Sequence, residues 1–164
     1  KVVGLELVKA GGCFGEMSAI DNSTRSASVV SLGPVKLGVI NYNFFKNNVI
    51  IDYNFCRALL AKFTTVVRVA NQQIFSLATA NARKRLLLQM LRLSSISKKN
   101  ASVMELEEGL SHTAIGSFAG ISRETVTRLI GDLKSDEIIW SNKVGNLEMN
   151  IERVYEELSP LLNS

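Results

Sequence analysis

The sequence predicts an α+β protein in which short strands come first, a long helix follows, and a helix-turn-helix with a strand hairpin comes last. Three observations predict this order. Apolar runs broken by Gly or Pro fill residues 1–41, an uninterrupted apolar seam fills 52–80, and a glycine separates two amphipathic stretches within 112–140. We expect three domains, at residues 1–50, 51–80 and 81–164.

In the first segment, Gly11-Gly12 and Leu32-Gly33-Pro34 separate apolar runs that are typical of short strands. The opening run, KVVGLELV, alternates like a strand but has no partner upstream, and the chain does not begin with Met. We therefore expect the later part of a longer protein. Residues 41–48 predict a short helix.

The second segment, residues 52–80, contains neither Gly nor Pro and predicts one long helix. Apolar residues step along it by four and three, which is the spacing of a heptad seam. The seam residues are Cys56, Leu60, Phe63, Val67, Ala70, Ile74 and Leu77, and a second apolar stripe holds Phe55, Leu59, Val66 and Val69. A seam of this kind predicts a homodimer, and a helix buried inside a monomer is the alternative.

The third segment predicts a helix at 83–93, a Ser- and Lys-rich loop at 94–102, and a short strand before a helix start at Ser111. Strands follow at 138–141 and 147–151. A last helix is predicted at residues 152–162.

Residues 112–140 have the pattern of a helix-turn-helix followed by a wing. Gly120 suits a turn with positive φ, and Ser122 suits the cap of a second helix. The face that we expect to be buried carries Ala114, Ile115, Phe118 and Ala119 on the first helix and Val126, Leu129, Ile130 and Leu133 on the second. The hairpin at 137–149 would form the wing. A generic pair of helices with a solvated charged face is the alternative.

The opposite face of the second helix predicts a DNA-binding surface. Arg123, Glu124 and Arg128 have the chemistry to read base edges, because Arg can grip guanine and Glu can accept from cytosine. Ser122, Thr125 and Thr127 suit phosphates.

The bulk charge does not add to this prediction. Residues 1–80 hold 8 basic and 4 acidic side chains, whereas residues 81–164 hold 11 of each, so the net charge of +4 lies outside the helix-turn-helix. The composition, 46% hydrophobic and 21% charged, is globular, and we expect a cytoplasmic protein without a signal peptide. Its cysteines, Cys13 and Cys56, are expected to be free thiols. With one histidine we expect no metal, and His112 lacks a nucleophile partner, so an enzyme is a poor fit.

The stretch CFGEMSAIDNSTRSASV, residues 13–29, places Gly15 and Glu16 at the start of one helical turn and Arg25 ten residues after the glycine. It resembles the phosphate-binding cassette of cyclic-nucleotide-binding domains. ISRETVTR, residues 121–128, resembles the recognition helix of the Crp–Fnr transcription regulators. Cassette, long helix and winged helix-turn-helix follow one another as in that family. The resemblance therefore implies the C-terminal part of a cyclic-nucleotide-binding β-roll, a dimerisation helix and a DNA-binding domain.

The resemblance also implies roles for the cassette. Gly15 lets the backbone approach the phosphate of a cyclic nucleotide, Arg25 makes a charge-assisted contact to it, and Glu16 accepts the ribose 2′-hydroxyl. Ser26 offers a hydroxyl near phosphate or base. The pattern is completed by Phe14, Met17 and Ala27. Taken singly, Glu16 could be a helix-start carboxylate and Arg25 half of a surface ion pair.

The base would lie against the long helix, where the family's hydroxyl-bearing pair falls on Ala70 and Asn71. Of these two residues only Asn71 can hydrogen-bond a base, so the pair does not decide between adenine and guanine. The resemblance implies cyclic AMP as the expected effector, with cyclic GMP as the alternative. The implied function is a cyclic-nucleotide-responsive homodimer that binds pseudo-palindromic DNA and contacts RNA polymerase. A regulator that responds to another effector or to none is a second hypothesis. A ligand-binding module that acts through protein contacts is a third.

Overall fold

A computed structural model describes residues 3–162, with side chains described as far as residue 159. The chain divides into two compact units. One unit is Leu7–Gln73, and the other combines the residues up to Glu6 with those from Ile74 onward. None of the helices in the described part of the chain combines the length and the apolar character that a membrane span requires.

The unit of Leu7–Gln73 holds helix α1 at Glu16–Asp21, α2 at Tyr42–Phe44, a π-helical turn at Phe45–Val49, and most of α3, which runs from Tyr53 to Thr79. The side chain of Asn41 caps α2 by accepting from the backbone N–H of Phe44. The helix predicted for 41–48 is therefore an α turn that continues as a π turn.

The strands predicted for residues 1–41 do not form within the described residues 3–41. The apolar side chains that gave the strand pattern are largely exposed, with Val30 at 82% and Val39 at 90%. A strand exists only when a neighbouring strand satisfies its backbone hydrogen bonds, and here no such ladder forms. The sequence therefore has the alternating pattern of a half-buried strand, but no neighbouring strand pairs with it among the described residues.

Helix α3 confirms the long helix predicted at 52–80, with Asp52 capping it through a 2.8 Å bond from the N–H of Phe55. The seam is largely open. The exposed seam residues include Leu60 at 66%, Val67 at 57%, Ile74 at 66% and Leu77 at 52%. The described residues of this chain therefore leave most of the seam uncovered.

The other unit contains four helices and four strands among its described residues. They are α4 at Ala82–Arg92, β1 at Ser94–Ile96, β2 at Val103–Leu106, α5 at His112–Ala119, α6 at Arg123–Ser135, β3 at Ile139–Ser141, β4 at Leu147–Asn150 and α7 at Ile151–Leu162. The strands form one antiparallel sheet in the order β1-β2-β4-β3. The helices and the hairpin predicted here are confirmed.

One prediction in this unit is wrong. Residues 94–102 have the composition of a loop, yet Ser94–Ile96 pairs as an edge strand with Met104–Leu106. The pairing opposes Ser95 to Glu105, and the backbone hydrogen bonds of the ladder outweigh the low strand preference of two serines.

The core of this unit lies between α4, α5, α6, α7 and the sheet. Its fully buried side chains include Leu86, Leu87, Met90, Ile115, Val126, Leu133, Ile139, Met149, Val154 and Leu158. The predicted inner face of α6 is confirmed, because all four of its apolar residues are at most 5% exposed. Burial of that face leaves the other face of α6 to solvent.

Candidate functional site

The turn that leads into α1 requires glycine. Gly15 precedes the helix with φ at +83°, a left-handed conformation that disfavours other residues. A Cβ added there would lie 2.7 Å from Nη1 of Arg25. Any side chain at this position would therefore strain the backbone and displace the arginine.

Arg25 folds back onto the start of α1. Its Nη1 donates to the carbonyl of Gly15 and, at 2.5 Å, to Oγ of Ser18. Neither partner is acidic, so these contacts leave the positive charge of Arg25 uncompensated. The N-terminus of α1 adds the positive end of a helix dipole, and the combination favours an anion at this turn.

Glu16 is buried beneath the same turn. Its side chain is 8% exposed, and its Oε1 lies 2.8 Å from Nζ of Lys62 on α3. Its Oε2 is buried and has no hydrogen-bond partner among the residues that the structure describes. A buried acceptor without a partner is rare in native proteins, which makes this oxygen a candidate acceptor for a ligand hydroxyl.

Lys62 is a site residue that the sequence prediction missed. The second apolar stripe of α3 steps through Phe55, Leu59, Val66 and Val69, and the missing step in the four-and-three spacing is position 62. A charged residue in an apolar stripe is the signal that could have found it, because such a side chain needs a partner on the face that the stripe covers.

The other predicted effector residues of the cassette are exposed. Phe14 is 43% exposed, Met17 is 50% exposed, and Ser26 and Ala27 are exposed as well. Asn71 lies on an open face of α3 beside Leu60, Phe63, Thr64, Val67 and Arg68 of the same helix. The structure thus gathers Gly15, Glu16 and Arg25, whereas the residues beside Asn71 on this face all belong to α3.

The helix-turn-helix has the predicted geometry. Ser111 caps α5 by accepting from the N–H of Ala114 at 3.1 Å, and α5 ends at Gly120 with φ at +68°. Ser122 then caps α6 by accepting from the N–H of Thr125 at 3.2 Å. Local capping therefore fixes both the turn and the first residue of α6.

The predicted DNA-reading side chains share the outer face of α6. Arg123, Glu124 and Arg128 are exposed, and Arg128 makes an exposed ion pair with Asp132 at 3.3 Å. A pair of this kind contributes little to stability, so a base edge could displace it. The first two turns of α6 therefore present two guanidinium groups and one carboxylate outward.

The threonines of α6 differ in how free their hydroxyls are. Thr125 is half-buried, with Oγ1 3.0 Å from Oγ of Ser122. Thr127 is exposed, but its hydroxyl donates to the carbonyl of Arg123 at 3.0 Å and lies 2.8 Å from Nδ1 of His112. A phosphate would compete with these internal bonds for the hydroxyl of Thr127.

The N-terminus of α6 also acts on Glu124. A hydrogen bond from its own backbone N–H, helped by the hydroxyl of Ser122 and the charge of Arg123, holds the pKa of the Glu124 carboxyl below its ordinary value. Glu124 therefore remains an acceptor over a wider range of acidity than a free carboxylate.

Comparison with known domains matches both halves of the chain. Residues 1–49 match the cyclic nucleotide-binding domain, and residues 84–151 match the Crp-like helix-turn-helix domain. These ranges contain the Gly15 turn and the α5–α6 pair respectively.

Comparison with whole proteins points the same way. The chain is 28% identical over 142 residues to the global nitrogen regulator of Synechococcus elongatus, which covers 84% of the chain and 63% of the relative. It is 27% identical over 164 residues to the cyclic AMP receptor protein of Thermus thermophilus, covering 94% and 68%. The structure of FixK2 from Bradyrhizobium japonicum has the same fold, with a TM-score of 0.56 and 23% identity over 71% of this chain and 58% of that one.

The chain thus spans 63% of the length of the nitrogen regulator that it matches. The two domain matches lie in the order that the cassette and the helix-turn-helix have along the sequence. Relatives that align across both domains carry the names of regulators. The chain therefore matches a cyclic nucleotide-binding domain and a Crp-like helix-turn-helix domain, in the order found in the Crp–Fnr regulators that it resembles.

Proposed function

We propose that this chain is part of a transcription regulator that binds a cyclic nucleotide at the Gly15 turn and reads DNA with α6. The observation that carries the proposal is the presence of both sites on one chain. A cationic turn with a vacant buried carboxylate oxygen lies in one unit, and a capped recognition helix with an outward charged face lies in the other. The proposed domain bounds are 1–50, 51–80 and 81–164.

The effector chemistry follows from the turn. A cyclic nucleotide carries one phosphate charge and one free ribose hydroxyl. Arg25 and the backbone around Gly15 suit the phosphate, and Oε2 of Glu16 suits the hydroxyl. Phe14, Met17, Ser26 and Ala27 are exposed and are the proposed further contacts of the cassette, and Asn71 is the proposed contact to the base.

The DNA chemistry follows from α6. We assign Arg123, Glu124 and Arg128 to base edges and Ser122, Thr125 and Thr127 to phosphates. If Arg123 reads a guanine, Arg123→Ala should weaken binding to the matched site by about 1–3 kcal/mol. An equal loss on a scrambled duplex would make Arg123 a phosphate contact instead.

A homodimer is proposed from the open seam of α3. Leu60, Val67, Ile74 and Leu77 lie on one face of the helix and are each more than half exposed. A second copy of α3 is the partner whose apolar spacing matches this seam. A dimer would also set two copies of α6 about 34 Å apart on a pseudo-palindromic site.

In this mechanism the effector acts by preferring the DNA-binding arrangement of the dimer. It can shift the balance only by its difference in affinity for the two arrangements. The hinge that we propose is the break between α3 and α4, where α3 ends at Thr79 and Asn81 caps α4 through the N–H of Lys84. Cytoplasmic location and contact with RNA polymerase belong to the same proposal.

The experiment uses the full-length protein and a labelled palindromic duplex, followed by fluorescence anisotropy at one salt concentration. The samples contain no effector, cyclic AMP or cyclic GMP. Tenfold or greater tightening with one nucleotide, absent on scrambled DNA, is the expected result. Strong binding that neither nucleotide changes would retain the DNA function and refute the cyclic-nucleotide switch.

A second candidate keeps the family and changes the effector. Ala70 stands where a hydroxyl would be expected at the base contact, which leaves Asn71 as the polar side chain of that pair. One relative across 84% of the chain is named a global nitrogen regulator rather than a cyclic AMP receptor. Unchanged DNA binding with both cyclic nucleotides would favour this candidate.

A further inference from the structure

Lys62 joins helix α3 to both sides of the Gly15 turn. Its Nζ lies 2.6 Å from the carbonyl oxygen of Cys13 and 2.8 Å from Oε1 of Glu16. Cys13 and Glu16 flank Gly15 in the sequence with one residue between Cys13 and the glycine. One ammonium group therefore fixes the backbone before the turn and the carboxylate after it.

The two basic side chains at the turn, Arg25 and Lys62, have different hydrogen-bond partners. Arg25 donates to the carbonyl of Gly15 and the hydroxyl of Ser18, whereas Lys62 donates to the carbonyl of Cys13 and to Glu16. Arg25 is exposed, while the side chain of Lys62 is 23% exposed. The exposed Arg25 can therefore contact an incoming anion, whereas Lys62 pairs with the buried carboxylate of Glu16.

The carboxylate of Glu16 needs such a partner. A carboxylate that is 8% exposed and unpaired would be strongly disfavoured, and the ion pair with Lys62 offsets that cost at Oε1. Oε2 keeps no partner in the described part of the chain. Because Lys62 holds one oxygen, rotation of the carboxylate is restricted and the other oxygen is presented in a fixed direction.

We infer that Lys62 is the positioning residue of the effector site, orienting Glu16 so that Oε2 accepts the ribose 2′-hydroxyl of the ligand. The inference rests on the proposed function, since it concerns the same site. Lys62 acts through Glu16 and makes no contact of its own with the ligand. It thereby determines whether the site distinguishes a ribonucleotide from its 2′-deoxy analogue.

The test compares the dissociation constants of cyclic AMP and 2′-deoxy cyclic AMP for the full-length protein by calorimetry. A hydrogen bond to a charged acceptor predicts that the parent prefers cyclic AMP by about tenfold or more. In Lys62→Met this preference should fall to within about twofold of unity, and Lys62→Arg should restore it. The double variant Glu16→Gln with Lys62→Met should bind cyclic AMP no more weakly than Glu16→Gln alone, because both changes act on one interaction.

Several outcomes would overturn the inference. A folded Lys62→Met variant that keeps the preference shows that Glu16 needs no help from Lys62. Equal weakening of both ligands shows that Lys62 contacts the phosphate or only supports the fold. If Lys62→Met does not fold, the double variant, which removes both charges, decides the question, and weaker binding of cyclic AMP by the double variant than by Glu16→Gln alone refutes the inference. A parent that binds neither ligand refutes the proposed function as well, whereas a parent that binds cyclic AMP but shows no 2′ preference refutes the inference alone.

Discussion

Gly116 allows α5 and α6 to pack closely, and its replacement tests the helix-turn-helix geometry directly. A Cβ at this position would lie 2.8 Å from the carbonyl oxygen of Ile121 and 3.2 Å from Cγ2 of Val126. The Ile121 carbonyl is backbone in the turn, and the N–H of Ile121 is bonded to the carbonyl of Gly116 at 3.0 Å. Neither the carbonyl nor the N–H of Ile121 can move without opening the turn. Gly131, in α6, has nothing within 4 Å of an added Cβ and serves as the matched control.

The two replacements by alanine should have opposite signs. In a helix, Gly→Ala gains about 1 kcal/mol, so Gly131→Ala should raise the free energy of unfolding by about that amount. At Gly116 the same gain is opposed by overpacking of about 1–3 kcal/mol, toward the upper end because the nearest atom is backbone. Gly116→Ala should therefore lower the free energy of unfolding by about 1–2 kcal/mol, and the variants should differ by about 2–3 kcal/mol.

Urea unfolding, followed by the fluorescence of the single tryptophan, measures this difference. Trp140 lies in β3, in the same unit, and its Nε1 donates to Glu148 at 2.7 Å. Loss of the sheet should therefore change its emission. The reasoning fails if Gly116→Ala unfolds at the same urea concentration as Gly131→Ala. It fails also if Gly116→Ala is more stable than the parent.

Three further predictions follow from other contacts. Val67→Asp should convert a dimer into a monomer in analytical ultracentrifugation, because it places a charge in the open seam, whereas Gln72→Asp on another exposed position of α3 should not. Ser122→Ala should destabilise α6 by about 1 kcal/mol and move the pKa of Glu124 upward in an NMR titration. Because that pKa is depressed in the folded chain, its contribution to stability is present above the unfolded value and is lost as pH falls through the folded one, so only the part of the difference that comes from Glu124 should disappear in acid, while the loss of the N-cap bond remains. Arg83→Met should lower stability by about 0.5–1 kcal/mol in low salt and less in high salt, since it removes two partly exposed ion pairs.

The sequence was a good guide where structure is set by neighbours along the chain. Ser111, Gly120 and Ser122 lie within a few residues of the groups that they cap or turn, and each has the predicted conformation. The inner face of α6 was likewise predictable, because helical spacing alone decides which residues share a face. The helix-turn-helix could therefore be predicted from a window of fewer than thirty residues.

A strand depends on a pairing strand, which the local composition of the sequence does not identify. Residues 94–96 were expected in a loop and form β1, because Met104–Leu106 offers a ladder. Residues 1–41 have strand patterns and form none among the described residues. The same rule explains both errors, since a strand is stabilised by its cross-strand neighbours more than by its own residues.

The predicted effector residues divide in the same way. Gly15, Glu16 and Arg25 are ten residues apart at most, and the structure brings them together. Lys62 is 46 residues from Glu16, so no local pattern could pair them. The stripe of α3 nevertheless carried a signal, because its spacing calls for an apolar side chain where the lysine stands. A charge that interrupts an otherwise regular apolar stripe must find an opposite charge or a polar group on the covered face, and the structure supplies both, in Glu16 and the carbonyl of Cys13. An interruption of this kind is therefore evidence for a buried polar site, even when the sequence does not show which distant residue completes it.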